Sequence, residues 1–102
     1  MSDDLVKRLT GPSPLATISR HVEDAIRTIL AKHGKLSIPI EQVRSDDDLY
    51  RAGMTSHASV NVMLALEAHF DVEFPDRMLR RSVFESISAI AAALDELRSR
   101  AA

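Results

Sequence analysis

Apolar side chains recur at helical spacing in three stretches of the chain. In the first, Ile18, Val22, Ala25, Ile26, Ile29 and Leu30 fall three and four apart, the mark of one buried helical face. The spacing predicts a helix that starts near Ser13-Pro14 or Thr17, runs to about His33 and stops at Gly34. A second helix is expected from Ser56 to about Phe70. Its Val60, Met63, Leu64, Leu66 and Phe70 can bury a face, while Asn61, Glu67 and His69 look outward. Pro75 forbids a continuous helix beyond Asp71-Val72-Glu73-Phe74. A short turn of helix follows at Arg77 to Arg81. Ile87, Ile90, Leu94 and Leu97 then mark a last helix from about Ser86 to Leu97. Strand alternation is sustained nowhere. The expected class is all-α, a small bundle of three long helices plus one short helix.

Between these elements the periodicity fades. Residues 1–13 carry only Leu5, Val6 and Leu9 before Gly11-Pro12-Ser13-Pro14, so a flexible leader is expected ahead of one domain over residues 14–98, with a frayed C-terminus at 99–102. From Lys35 to Thr55, Pro39 interrupts the cluster Ile38-Ile40-Val43, and Asp46-Asp47-Asp48 follows. A structureless loop of that length is uncommon in a compact domain. Its apolar members, Leu49 and Tyr50 included, are therefore expected to pin it across the bundle. Gly53 offers a tight turn just before the second helix.

Composition narrows the function classes. A chain of 102 residues holds one domain, and 45% apolar content suffices for one modest core. Aromatics are 4% and Trp is absent, which implies an aliphatic core with Met filling gaps and argues against a base-stacking surface. The formal charge of −2 selects no polyanionic partner, and no helix is placed to enter a DNA groove. Without cysteine there is no disulfide, thiolate zinc site or cysteine nucleophile. The acidic N-terminus has no signal-peptide core behind it, and the near-apolar run Ile87 to Leu94 is far too short to span a bilayer. These features fit a cytoplasmic monomer that binds neither membrane nor nucleic acid.

The sharpest local feature is Gly53-Met54-Thr55-Ser56-His57, a glycine turn and two hydroxyls entering a helix. Capping alone explains such a pair, since either hydroxyl can accept from a free first-turn amide. A phosphate ester on the first-turn hydroxyl would also be favoured there, at the positive end of the helix dipole. The two roles are compatible if Thr55 caps and Ser56 stays exposed. A serine hydrolase is disfavoured, because adjacent helical residues diverge by about 100 degrees and His57 is poorly aimed at Ser56. His21 and His33, like His57 and His69, stand twelve apart, too far to share a metal within one helix. The aspartate run lacks the later glycine and bidentate glutamate of a calcium loop at the required spacing. Arg77, Arg80 and Arg81 form a local basic patch, either a solvated face or a contact for an acidic partner.

The stretch from Asp48 through Leu49-Tyr50-Arg51-Ala52-Gly53-Met54-Thr55-Ser56, followed by Val60-Asn61-Val62-Met63-Leu64-Ala65-Leu66-Glu67-Ala68-His69-Phe70 and Asp71-Val72-Glu73-Phe74-Pro75-Asp76, resembles the acyl carrier protein family. That family has a glycine, then an aspartate-serine-leucine triplet opening helix two, then an apolar-patterned helix closed by phenylalanine, an acidic-apolar run and proline. The resemblance continues through Phe84-Glu85-Ser86-Ile87 and covers about residues 15 to 97. It implies a carrier that catalyses nothing. Ser56 would receive a covalent 4′-phosphopantetheine arm from a phosphopantetheinyl transferase using coenzyme A, with Thr55 capping the helix beside it. The arm's thiol would hold an acyl or aminoacyl thioester for presentation to successive enzymes. Helix two is the family's main docking surface, so Met54, His57, Val60, Asn61 and Met63, with Arg77, Arg80 and Arg81, are the expected partner contacts.

Departures from the family pattern point to a specialised carrier. Thr55 stands where the family has aspartate, and His57 where it has leucine. Helix two carries only Glu67 as an acid, and the usually acidic third helix reads Arg77-Met78-Leu79-Arg80-Arg81. Basic docking sites on the standard fatty-acid synthesis enzymes would find little here to grip. The variant looks like a bacterial group whose partners include ligases related to seryl-tRNA synthetase, which load a small amino acid onto the arm. The rival class is a non-catalytic helical interaction module that binds through its basic third helix without a prosthetic group.

Overall fold

The computed structural model describes residues 14–101, with side chains described over 20–99; the expected leader lies outside the described residues. Three α-helices dominate: α1 (Pro14–His33), α2 (Ser56–Phe70) and α3 (Ile87–Ala101). Three short 3-10 turns, Ile40–Gln42, Asp76–Met78 and Arg81–Val83, lie between them. Both other long helices pack against α1. No strand occurs among the described residues, and no described helix is long and apolar enough to cross a membrane.

The helix limits follow from local chemistry. Pro14 occupies the first position of α1, where its missing N–H costs nothing. At the other end Gly34 donates to the Leu30 carbonyl at 2.8 Å, and a Cβ on Gly34 would sit 2.8 Å from that same oxygen. The left-handed residue is the next one, Lys35. Thr55 caps α2, and Asp71 ends it in the left-handed conformation. Ser86 caps α3 by accepting from the Ala89 amide at 3.0 Å. That helix continues past Leu97, where the apolar pattern ends, to Ala101.

The core is aliphatic with four aromatic or sulfur anchors, Met54, Phe74, Met78 and Phe84. Ile26 and Leu30 of α1, Val62 and Leu66 of α2, and Ile87, Ile90 and Leu94 of α3 are fully enclosed. Phe74 and Phe84 meet at 5.4 Å between ring centroids, with Met78 buried beside them in the core. The long loop is pinned as expected by Val43 and Leu49, both buried. A polar clamp that periodicity cannot show helps to hold it. Arg27 donates to the carbonyls of Ile40 at 3.1 Å and Val43 at 2.8 Å, and Ser45 donates to Glu23 at 2.9 Å. The aspartate run serves separate turns. Asp46 accepts from Ser88, Asp47 from the Arg44 amide, and Asp48 from the amides of Tyr50 and Arg51.

Two expectations need correction. The buried face of α2 is Ala58, Val62 and Leu66, continuing the line from Met54 at steps of four, whereas Val60 and Leu64 are 49% and 53% exposed. The helix is apolar on nearly every side, so spacing alone could not choose the inward face. The short helix at Arg77 to Arg81 is instead two 3-10 turns, Asp76–Met78 and Arg81–Val83. Between them Leu79 leaves helical dihedrals and Arg80 is extended (φ −124, ψ 149), while buried Met78 and Phe84 fasten the segment to the core.

Candidate functional site

The backbone leading into α2 is held by bonds from distant parts of the chain. Leu49 donates to the Glu85 carbonyl at 2.7 Å, and Ser37 donates to the Ala52 carbonyl at 2.7 Å. Asp48 folds the intervening turn by accepting from the Tyr50 amide at 2.9 Å. Gly53 sits at φ +113, and a Cβ there would lie 2.8 Å from the Ser37 amide nitrogen, so only glycine fits. Met54 then plunges into the core at 2% exposure. It anchors the turn and presents no surface, so it is not a partner contact.

Thr55 follows in an extended conformation, and its hydroxyl accepts from the Ala58 amide at 3.0 Å. Capping is thereby assigned to Thr55. Ser56 is exposed at the first helical position. Its hydroxyl makes no hydrogen bond among the described residues, and the amides of Ser56 and His57 likewise find no acceptor there. Ser59, one turn on, is engaged instead: it donates to the Ser56 carbonyl at 2.7 Å. His57 is exposed, and no hydrogen bond joins it to Ser56. The site thus has a free hydroxyl, unpaired amides and the positive end of a helix dipole, which together suit a covalent phosphate ester.

Ser56 opens on a groove of about 450 Å³ between α2 and the 3-10 segment. Val60 and Met63 line it from α2, and Leu79 and Phe84 from the opposite wall. Tyr50, Arg80 and Arg81 complete the rim, and the Arg81 guanidinium lies 3.9 Å over the Tyr50 ring. The structure separates the three arginines of the basic patch. Arg77 leaves the groove to pair with Glu96 of α3 at 3.3 Å, with both side chains roughly half exposed. The outward face of α2 carries His57, Val60, Asn61 and Leu64, spaced so that they share one side of the helix. Spacing does not single out Leu64, Leu79 or Tyr50 as site residues. An apolar residue in the middle of a basic run, such as Leu79 between Met78 and Arg80, was the available signal.

Glu67, the lone acid of α2, is committed to the fold. Its carboxylate accepts from the Phe74 amide at 2.8 Å and its carbonyl from the Val72 amide at 3.2 Å. At the same end, roughly 20 Å from Ser56 along the helix, His69 shares a shallow depression with His21, Phe70 and Arg98. Among the described residues no three potential metal ligands gather.

Residues 24–94 match the family model described as phosphopantetheine attachment site. The chain is 52% identical over 65 residues, 64% of its length, to the aminoacyl carrier protein of Agrobacterium fabrum, of which it spans 78%. In structure it is similar to the carrier protein from Agrobacterium tumefaciens complexed with an engineered Bradyrhizobium japonicum glycine:[carrier protein] ligase and ATP. That match has a TM-score of 0.73 at 45% identity and covers 76% of this chain and 100% of the other. A solution structure of a protein from Agrobacterium tumefaciens matches with a TM-score of 0.63 at 44% identity, over 78% of this chain and 99% of the other.

Proposed function

The chain belongs to the acyl and aminoacyl carrier proteins of the phosphopantetheine-attachment family, and from that premise we propose that Ser56 bears the arm and that an amino acid is the cargo. A carrier is a substrate of other enzymes and catalyses nothing itself. The arm, when attached, supplies a terminal thiol that holds the cargo as a thioester. What this chain contributes is placement. Thr55 takes the capping role, so the Ser56 hydroxyl is left free to attack. The two unpaired amides and the helix dipole favour the negative phosphate that results. The free, exposed hydroxyl of Ser56 at the head of α2 is the observation that carries this reading.

The choice of an amino acid rests on the relatives. One is an aminoacyl carrier protein, and another stands in complex with a glycine:[carrier protein] ligase. The surface supports dedicated partners: the outward face of α2 is apolar and histidine-bearing, and its one acid is tied up internally. A ligase of that kind would dock on His57, Val60, Asn61 and Leu64. Arg80 and Arg81 would contact it from the far side of the groove. A phosphopantetheinyl transferase acts first, with coenzyme A, in the cytoplasm where both are at hand.

Mass spectrometry after incubation with coenzyme A and a broad-specificity transferase tests the site. Wild type and Ser59→Ala should each gain one phosphopantetheine mass, and Ser56→Ala none. A Ser56→Ala chain that gains the same mass would move the site elsewhere.

A further inference from the structure

The groove beside Ser56 has an apolar floor and a rim of one sign. Its charged lining residues are Arg80 and Arg81, and no carboxylate lines it. Neither arginine has a carboxylate partner among the described residues. Arg81 is held against the Tyr50 ring. Both arginines carry a guanidinium, so the rim is cationic. The floor has surface to cover: Val60 and Leu79 are each 49% exposed.

On the reading that Ser56 is the attachment point, we infer that this groove is a charge filter on the cargo. A neutral acyl group tethered at Ser56 gains by covering Val60, Met63 and Leu79. An aminoacyl group of the same size carries an α-ammonium, which on entering would lose water and meet two like charges, with only the single negative charge of the Ser56 phosphate to offset them and no carboxylate in the lining. It is therefore turned back into solvent. An amino acid stays outside, open to whichever enzyme takes it next, while a mischarged neutral acyl group settles into the groove. Arg80 and Arg81 are the specificity-determining residues of this device.

The test compares two loaded forms of the carrier by methyl NMR at pH 6, where an α-amine is protonated. One form carries glycyl and the other propionyl, which replaces the ammonium with a methyl group. Relative to the unloaded, arm-bearing protein, propionyl should shift the methyl signals of Val60 and Leu79. Glycyl should shift them about fivefold less. In the Arg80→Glu, Arg81→Glu double variant the glycyl form should approach the propionyl one. Arg80→Gln, Arg81→Gln gives an intermediate result and replaces the reversal if that variant fails to fold, as judged by the core methyl signals of Val62 and Leu66. Equal shifts from the two cargoes in wild type, or an unchanged difference in both variants, overturns the filter and leaves the Ser56 assignment standing. A wild-type chain that gains no arm mass overturns both.

Discussion

The two walls of the groove beside Ser56 are built on different principles. The wall that delivers Ser56, residues 48–55, is tied to remote parts of the chain through Leu49 to Glu85 and Ala52 to Ser37, with Met54 buried beneath it. The facing wall, residues 75–84, has among the described residues only local backbone bonds within its two 3-10 turns, and it is fastened to the core by Met78 and Phe84, with Phe74 buried just before it. Leu79 and Arg80, the residues between the turns, face solvent. On the proposal that Ser56 bears the arm, the first wall fixes where that group is attached. The other leaves its side chains available for whatever that group, or a partner enzyme, must meet. In such a design the attachment geometry tolerates little change, while the opposite wall is where charge and shape can be altered cheaply.

The strongest way to break this contrast is Gly53→Val. A branched side chain at φ +113 is strained, and its Cβ would meet the Ser37 backbone. The expected loss is about 3 kcal/mol of stability in urea unfolding, with slower arm attachment. A loss below about 1 kcal/mol would mean that the first wall is not locked in the way the bonds imply.

What could be read from the amino-acid pattern divides along the same line. The limits of α1 and α2 were legible because residues with a local backbone role mark them: Pro14, Gly34, Thr55-Ser56 and the run before Pro75. The free hydroxyl of Ser56 was legible as a division of labour with Thr55. The inward face of α2 was not, because Val60 and Leu64 compete with Val62 and Leu66 on an almost uniformly apolar helix. The stripe that is buried, Ala58, Val62 and Leu66, continues the line of buried Met54 at steps of four. The Arg27 clamp and the Glu67 brace to Phe74 were equally out of reach, since a side chain bonding a distant backbone leaves no period behind. The second wall is two 3-10 turns where the residue pattern predicts one short helix. Its form depends on where Met78 and Phe84 find room in the core, and local propensity has no say in that.

A smaller effect is expected at the joint between wall and helix. Thr55→Ala removes the acceptor of the Ala58 amide and should cost about 1 kcal/mol, with Thr55→Ser restoring most of it. Arm attachment should persist in both, because the Ser56 hydroxyl is not part of the cap. If Thr55→Ala keeps full stability in urea unfolding, then Ser56 has taken over the cap, and its freedom would no longer follow from the division of labour between the two hydroxyls.

The smallest effect belongs to the second wall and separates its two arginines. Arg80→Gln changes an exposed side chain without a carboxylate partner among the described residues and should leave stability within about 0.5 kcal/mol of wild type. Arg81→Gln also removes a guanidinium 3.9 Å from the Tyr50 ring and should cost roughly 0.5 kcal/mol more. Among the described residues that stacking is the one tie between the walls made by a rim side chain of the groove, so the increment measures how far one wall supports the other. In a Tyr50→Leu background the gap between the two arginine variants should close, because the stacking partner is gone. A gap that survives there would assign the cost to some other contact of Arg81. A gap well above 1 kcal/mol in wild type would show that the second wall is braced across the groove as firmly as the first is braced from behind.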